Sequence, residues 1–338
     1  MSYRDAGVDL DAAERSTESL KALVNATADA NTLSQLGAFG GLYAVPGDVP
    51  DPVLVSSTDS VGTKIKMAFM TGIHDTIGQD IVNHCVNDIL VQGARPIFFL
   101  DYLGVGKLNE DVVADVVRGV AVACRENSCA LLGGETAELS ELYAPDEYDL
   151  AGFIVGIVSR DRVIDGSRIQ SGDVLVGVEA SGLHTNGYTL ARRIVFDAMG
   201  LHYSDELPGT GRSVQDELLT VHRSYLAVFD DLLDGDTIHG LAHITGGGIP
   251  GNLPRVLPDR LGAIVDRSTW EVPAVFRALR EGGAVERDEM DRVFNMGIGM
   301  IAVVSEADVD AVVDAARLRG HGAPVIGRIH EGSGVQYE

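Results

Sequence analysis

The stretch Gly78-Gln-Asp-Ile-Val-Asn-His84-Cys-Val-Asn87-Asp88-Ile-Leu-Val-Gln92 decides the fold class. Ile81, Val82, Cys85, Val86, Ile89 and Leu90 recur at helical spacing, and a solvated helix would carry more Lys and Glu in their place. The spacing predicts a largely buried helix. The segments around it alternate in type. Pro52–Ser56, Pro96–Leu100, Ala130–Leu132 and Ala151–Val158 read as strands, and Glu110–Cys124 reads as a helix. A polar, helix-like segment, Ala12–Ala30, and a glycine-rich stretch, Gly37–Gly41, come before them.

A polar stretch, Asp165–Gly172, precedes a fresh strand at Asp173–Val178 and marks a domain boundary near residue 170. The expected domains are residues 1–170 and 171–338. In the second, helices are expected over Tyr188–Met199 and around Leu218–Leu233, with strands at Ala263–Val265 and Gly299–Val304. Both halves mix α and β, so the fold class is two-domain α+β or α/β.

Composition narrows the function. The 338 residues are 45% hydrophobic, enough for a sizeable core, and no apolar run is long enough for a membrane span. The opening residues do not read as a signal peptide, so a soluble cytoplasmic protein is expected. Cys85, Cys124 and Cys129 form no CxxC pair and read as small hydrophobes in a reducing compartment. Acidic residues number 50 against 26 basic ones, for a net charge of −24, and only four of the basic residues are lysine. That balance argues against nucleic acid or an anionic membrane as partner. It suits a salt-rich cytoplasm, although an ordinary acidic cytosolic protein would also satisfy it.

Three polar clusters place carboxylates beside apolar segments: Ser57–Lys64 with Asp59, His84–Asp88, and Gly133–Glu138 with Glu135. An isolated buried carboxylate is costly to keep ionised, so several together suggest a shared cation. Asp59, at the expected end of its strand, suits Mg²⁺, and Lys64 suits phosphate, although a capping Asp in a turn has the same local pattern. Gly62-Thr-Lys64 is not a Walker A loop, because it lacks the GK dipeptide. His84, Asn87, Asp88 and Gln92 form a polar stripe on the apolar helix and need partners.

Two further loops suit anions: Ser181-Gly-Leu-His184-Thr-Asn186-Gly187, which leads into a helix, and His243-Ile-Thr245-Gly246-Gly247-Gly248. Their plainer readings are an N-cap and a mobile turn. Gly246–Gly251 formally matches GxGxxG, but Pro250, Pro254 and Pro258 would fragment the long helix that a dinucleotide fold requires.

Taken in order, these segments resemble the phosphoribosylformylglycinamidine cyclo-ligases, the AIR synthetases of purine biosynthesis. The resemblance runs nearly end to end, from Tyr3-Arg-Asp-Ala-Gly-Val-Asp through Gly37-Ala-Phe-Gly-Gly, Thr58-Asp-Ser-Val-Gly-Thr-Lys, Val86-Asn-Asp, Phe99-Leu-Asp-Tyr and Gly133-Gly-Glu-Thr-Ala-Glu to His184-Thr-Asn-Gly-Tyr, Thr245-Gly-Gly-Gly and Phe294-Asn-Met-Gly. It implies ATP-dependent ring closure of formylglycinamidine ribonucleotide to aminoimidazole ribonucleotide. It also implies Mg²⁺ and a homodimer whose N-terminal domains share a β-barrel, with an α/β C-terminal domain.

Carried onto this chain, the resemblance makes Asp59, Asp88 and Glu135 the metal carboxylates. Lys21, Gly40, Gly41, Lys64 and Asn87 join them around ATP. His184, Asn186, Thr245 and Gly246–Gly248 fall on the substrate side, and either His184 or His243 would move the proton released on cyclisation. Thiamine-monophosphate kinases share the metal-carboxylate and glycine themes but would not explain the His184 and Phe294 motifs. A catalytically silent nucleotide-binding subunit would have no need of Asp59, Lys64, Asp88 and Glu135 together.

Overall fold

The structure, a computed structural model, describes residues 10–338, so the Tyr3–Asp9 motif lies outside the described residues. The chain divides into two units, one running to Ile89 and resuming over Ala94–Arg160, the other formed by Leu90–Gly93 and Asp161–Glu338.

The first unit runs α1 (Leu10–Asn25), β1 (Pro52–Ser60), α2 (Ile65–Thr71), α3 (Asp75–Leu90), β2 (Arg95–Val105), α4 (Glu110–Glu126), β3 (Ala130–Glu138) and β4 (Tyr148–Ser159). Its sheet has the order β1-β4-β2-β3. β2 and β3 are parallel, joined across α4, and the other pairs are antiparallel. The Asn109 side chain caps α4 by accepting from the N–H groups of Asp111 and Val112, and Val113, Val116, Val117 and Val120 give it a buried stripe.

α3 is the buried helix that the spacing predicted: Ile77, Ile81, Val82, Cys85, Val86 and Ile89 are all fully buried. It packs backbone to backbone on α4. A Cβ on Gly78 would lie 2.0 Å from the Val116 carbonyl oxygen, and one on Gly119 would lie 1.9 Å from that of Asp75. Only glycine permits that approach.

Two strands run further than their sequence suggests. β1 continues to Ser60, because Ala151–Phe153 pair with Thr58–Ser60, so Asp59 lies within the strand and not beyond its end. β3 continues through Gly133-Gly134-Glu135, because Leu100–Val105 of β2 pair with it after a bulge. Neighbouring strands supply hydrogen bonds that local composition does not reveal.

The second unit runs β5 (Val174–Glu179), α5 (Tyr188–Arg192), α6 (Val214–Leu218), α7 (Leu226–Phe229), β6 (Ile238–His243), α8 (Gly248–Asn252) and β7 (Leu261–Val265). It continues with α9 (Ala274–Gly282), α10 (Arg287–Val293), β8 (Ile298–Val304), α11 (Val309–Leu318), β9 (Val325–Glu331) and β10 (Gly334–Tyr337). The sheet order is β10-β7-β9-β5-β8-β6; β7 and β10 are parallel and the other pairs antiparallel. Every residue of β8 is buried, and Ile298, Ile301 and Val303 pack in the core with Leu175, Ala263 and Ile326.

Two expected helices differ. The one over Tyr188–Met199 is α-helical only to Arg192 and widens to a π turn over Arg193–Ala198. The one around Leu218–Leu233 is not continuous, because residues 219–225 are irregular between α6 and α7. There the Val221 carbonyl accepts from Ser181 Oγ, while Arg223 and Tyr225 reach the Glu179 carbonyl. Those partners, on and just after β5, hold the segment off the helical path.

Candidate active site

In the first unit, β1 and α3 bring Asp59, His84 and Asp88 together. Nε2 of His84 lies 2.8 Å from Oδ2 of Asp59 and 3.8 Å from Oδ2 of Asp88, and Ser57 Oγ donates to Asp88 at 3.0 Å. The ring is nearly buried, whereas both carboxylates keep some exposure. Burial pushes the Asp59 carboxyl up, but the hydrogen bond and charge of His84 outweigh it and hold the group below its ordinary value. Burial opposes charge on His84, but the hydrogen bond it donates to Asp59 and the charges of Asp88 and Asp59 outweigh that and raise its pKa.

Lys64 and Asp80 form a separate pair. Both side chains are fully buried, and Nζ lies 2.7 and 2.8 Å from the two carboxylate oxygens. Burial lowers the Lys64 pKa, an effect that the charge of Asp80 opposes. Lys64 therefore faces Asp80 and not open space. Asn87 is fully buried on the same helix, α3, as Asp80.

A cavity of about 830 Å³ is lined by other elements: α1, the Gly37–Gly41 stretch, β2, α4, β3 and Phe153 of β4. Gly40 and Gly41 line it, as do Glu135 of β3, Asp101 and Tyr102 of β2, and Leu20 and Val24 of α1. Burial pushes the Asp101 carboxyl up to about 7. Lys21, also on α1, is half exposed and pairs with Glu18. Glu135 thus borders the cavity, while Asp59 and Asp88 gather on His84.

In the second unit three loops meet. His184 is fully buried, and its φ of +59° is a left-handed conformation that non-glycine residues seldom adopt. The Ser181 N–H donates to its Nε2 at 3.2 Å, so the neutral ring carries its proton on Nδ1. Thr185 Oγ1 lies 3.3 Å from Nδ1 of His222, whose Nε2 is 3.1 Å from Nε2 of His243. Thr245 and Gly246–Gly248 wrap Asn252, whose amide donates to the carbonyls of Thr245, Gly246 and Gly248 at 3.3, 3.2 and 2.9 Å. The Asn186 Oδ1 lies beside Gly246, 3.3 Å from where a Cβ would stand.

The sequence did not single out Asp80, Asp101, His222 or Asn252. Asp101 stood inside the quoted Phe99-Leu-Asp-Tyr motif. Asp80 and His222 matter through partners distant in sequence, and Asn252 through backbone carbonyls of the preceding glycine loop, which its residue type does not announce.

Residues 41–158 match the N-terminal domain of the AIR synthase related proteins, and residues 170–338 match the C-terminal domain. The chain belongs to this family. A phosphoribosylformylglycinamidine cyclo-ligase of Sorangium cellulosum (strain So ce56) is 51% identical over 340 aligned positions, covering 100% of this chain and 98% of the relative. One of Geotalea daltonii is 51% identical over 97% of this chain and 95% of its own. These relatives are ligases by name, and the two matched regions hold Asp59, Lys64, Asp80, His84, Asn87, Asp88, Asp101 and Glu135 in the first unit and the histidine and glycine loops in the second.

The fold is shared more widely. A thiamine-monophosphate kinase from Stenotrophomonas maltophilia K279a superposes with a TM-score of 0.69 at 20% identity, covering 94% of this chain and 95% of that one. The hydrogenase maturation protein HypE, solved in complex with ATP, gives 0.65 at 21% identity, with 97% and 89% covered. Among the described residues no helix is long and apolar enough to cross a membrane.

Proposed function

We propose that this chain converts formylglycinamidine ribonucleotide and ATP to aminoimidazole ribonucleotide, ADP and phosphate in the cytoplasm. The observation that carries the proposal is the full-length, 51% identity to a named cyclo-ligase. ATP phosphorylates the formyl oxygen, turning a poor leaving group into a good one. The neighbouring nitrogen then attacks the same carbon, a C–N bond forms, the C–O bond breaks with its electron pair on phosphate, and the nitrogen loses a proton. The ring closes within one molecule, so the protein has chiefly to orient the chain and balance charge.

The chain's own residues support this reading. Asp59, held ionised beside His84, and Asp88 are hard oxygen donors of the kind Mg²⁺ takes. When bound, Mg²⁺ would neutralise triphosphate charge, and Glu135 with Gly40 and Gly41 would accept the nucleotide in the cavity they line. Asn87 would steady Asp88 on α3, and Lys21 would approach from α1. Lys64 would reach a phosphate only by leaving Asp80.

On the second unit, His184, Asn186, Thr245 and Gly246–Gly248 would orient the ribonucleotide, and His184 or His243 would take the released proton. A homodimer through the first-unit sheet is supported by Leu54 on β1 and Phe153 on β4, apolar residues 59% and 43% exposed. A gel-filtration species at the 35.8 kDa of a single chain would count against it.

The deciding experiment supplies formylglycinamidine ribonucleotide with Mg-ATP and follows aminoimidazole ribonucleotide. Product is expected from the wild type and none from Asp88→Asn with an unchanged circular dichroism spectrum. ATP binding without product would instead mark a silent nucleotide-binding protein.

A further inference from the structure

Three buried imidazoles stand together in the second unit. Donor atoms of His184, His222 and His243 all lie within 4.8 Å of one another, which invites a metal reading. Ring geometry opposes it. The His184 and His222 rings stack with centroids 4.0 Å apart and planes 20° apart. A ring nitrogen presents its lone pair in the plane of its own ring, so these two rings do not aim at one ion.

What joins His222 to His243 is a hydrogen bond, with 3.1 Å between their Nε2 atoms. One proton fits between two such nitrogens, so one ring donates and the other accepts. The remaining nitrogen of His222, Nδ1, is 3.3 Å from Thr185 Oγ1, next to His184 in the chain. His222 is fully buried, and the irregular segment 219–225 that carries it is pinned at Val221, Arg223 and Tyr225. Its ring is thereby fixed between two loops that the sequence assigned to the substrate.

We propose that His222 is a positioning residue: it fixes which ring nitrogen of His243 carries the proton, and so the nitrogen that His243 offers to the reaction. A catalytic imidazole is useful only in the correct tautomer, and the partner of one nitrogen decides the state of the other. The role in turnover rests on the cyclo-ligase reading. The tautomer itself does not.

Two variants of the full chain separate these points. His222→Leu removes the hydrogen bond, and His222→Gln restores an amide where Nε2 stood. With ¹⁵N-labelled histidine, nuclear magnetic resonance is expected to show a single His243 tautomer in the wild type, a mixture in His222→Leu and a single tautomer again in His222→Gln. In the cyclisation assay, His222→Leu is expected to lower kcat by about 100-fold while KM moves less than about twofold, with His222→Gln recovering at least about a tenth of wild-type kcat. A folded His222→Leu protein with an unchanged His243 tautomer overturns the proposal. So does a loss of activity that merely tracks loss of folded protein in both variants. A wild type that forms no product overturns the cyclo-ligase reading alone, and the resonance experiment then decides this one.

Discussion

Asp59 Oδ2 and His84 Nε2 lie 2.8 Å apart, an ion pair between a strand and a helix whose other carboxylate neighbour is Asp88. The strand β1 is held in register by β4, with Asp59 opposite Gly152, and Cys85, next to His84 on α3, donates to the Gly152 carbonyl. The pair is thus set by the sheet and by the helix packed on it.

Its pH dependence follows from the two shifts. His84 is raised above its ordinary 6.5, so its contribution to stability is complete below that pH and lost as pH rises through the folded value. Asp59 is lowered below 3.8, so its contribution is present above that pH and lost as pH falls through the folded value. The pair stabilises the fold most between pH 3.8 and 6.5. The urea-unfolding penalty of His84→Gln is expected to be larger near about pH 5.5 than near about pH 8. A penalty that grows toward alkaline pH would contradict the pairing.

Lys64 and Asp80 have no exposed surface on either side chain. Asp80→Asn leaves the ammonium without its carboxylate and is expected to cost about 3–5 kcal/mol in denaturant unfolding. Lys64→Met combined with Asp80→Leu removes both charges and should regain most of that loss. A single-variant cost below about 1 kcal/mol would show that the pair opens to water.

Gly299, on β8, supports the histidine cluster from below. A Cβ there would lie 1.9 Å from Tyr225 Oη and 2.5 Å from His184 Cε1. Gly299→Ala is expected to destabilise the chain by about 1–3 kcal/mol and to lower turnover by displacing His184. Gly235→Ala, whose nearest contact would be 3.8 Å away, serves as the control and should not affect turnover. Equal effects from the two variants would remove the steric argument.

The charge of −24 predicts a salt response. Screening shortens to about 3 Å near 1 M salt, so added molar KCl is expected to raise the urea midpoint by relieving repulsion among the acidic groups. A midpoint that does not move would separate the acidic composition from any adaptation to salt.

The helix α3 and the strand β8 were legible because their apolar residues repeat with the period of the element or fill it outright. The extensions of β1 and β3 were not, since Ser, Thr, Asp and Gly join a strand only when a neighbour offers its backbone. Residues 219–225 misled for a related reason: Leu218–Leu233 has helical spacing, yet Ser181 and Glu179 claim the segment through bonds spanning about 40 residues.

By itself the order of residues determined two mixed α/β units, an acidic surface and the family, because periodicity, charge and motif order are properties of a linear string. Only the folded chain decided that Lys64 is sealed against Asp80, that Asp59 and Asp88 share His84, and that His222 stands between His184 and His243. Those relationships depend on distances of a few ångströms between segments far apart in sequence, and such distances are set by packing and sheet register, which no local pattern encodes.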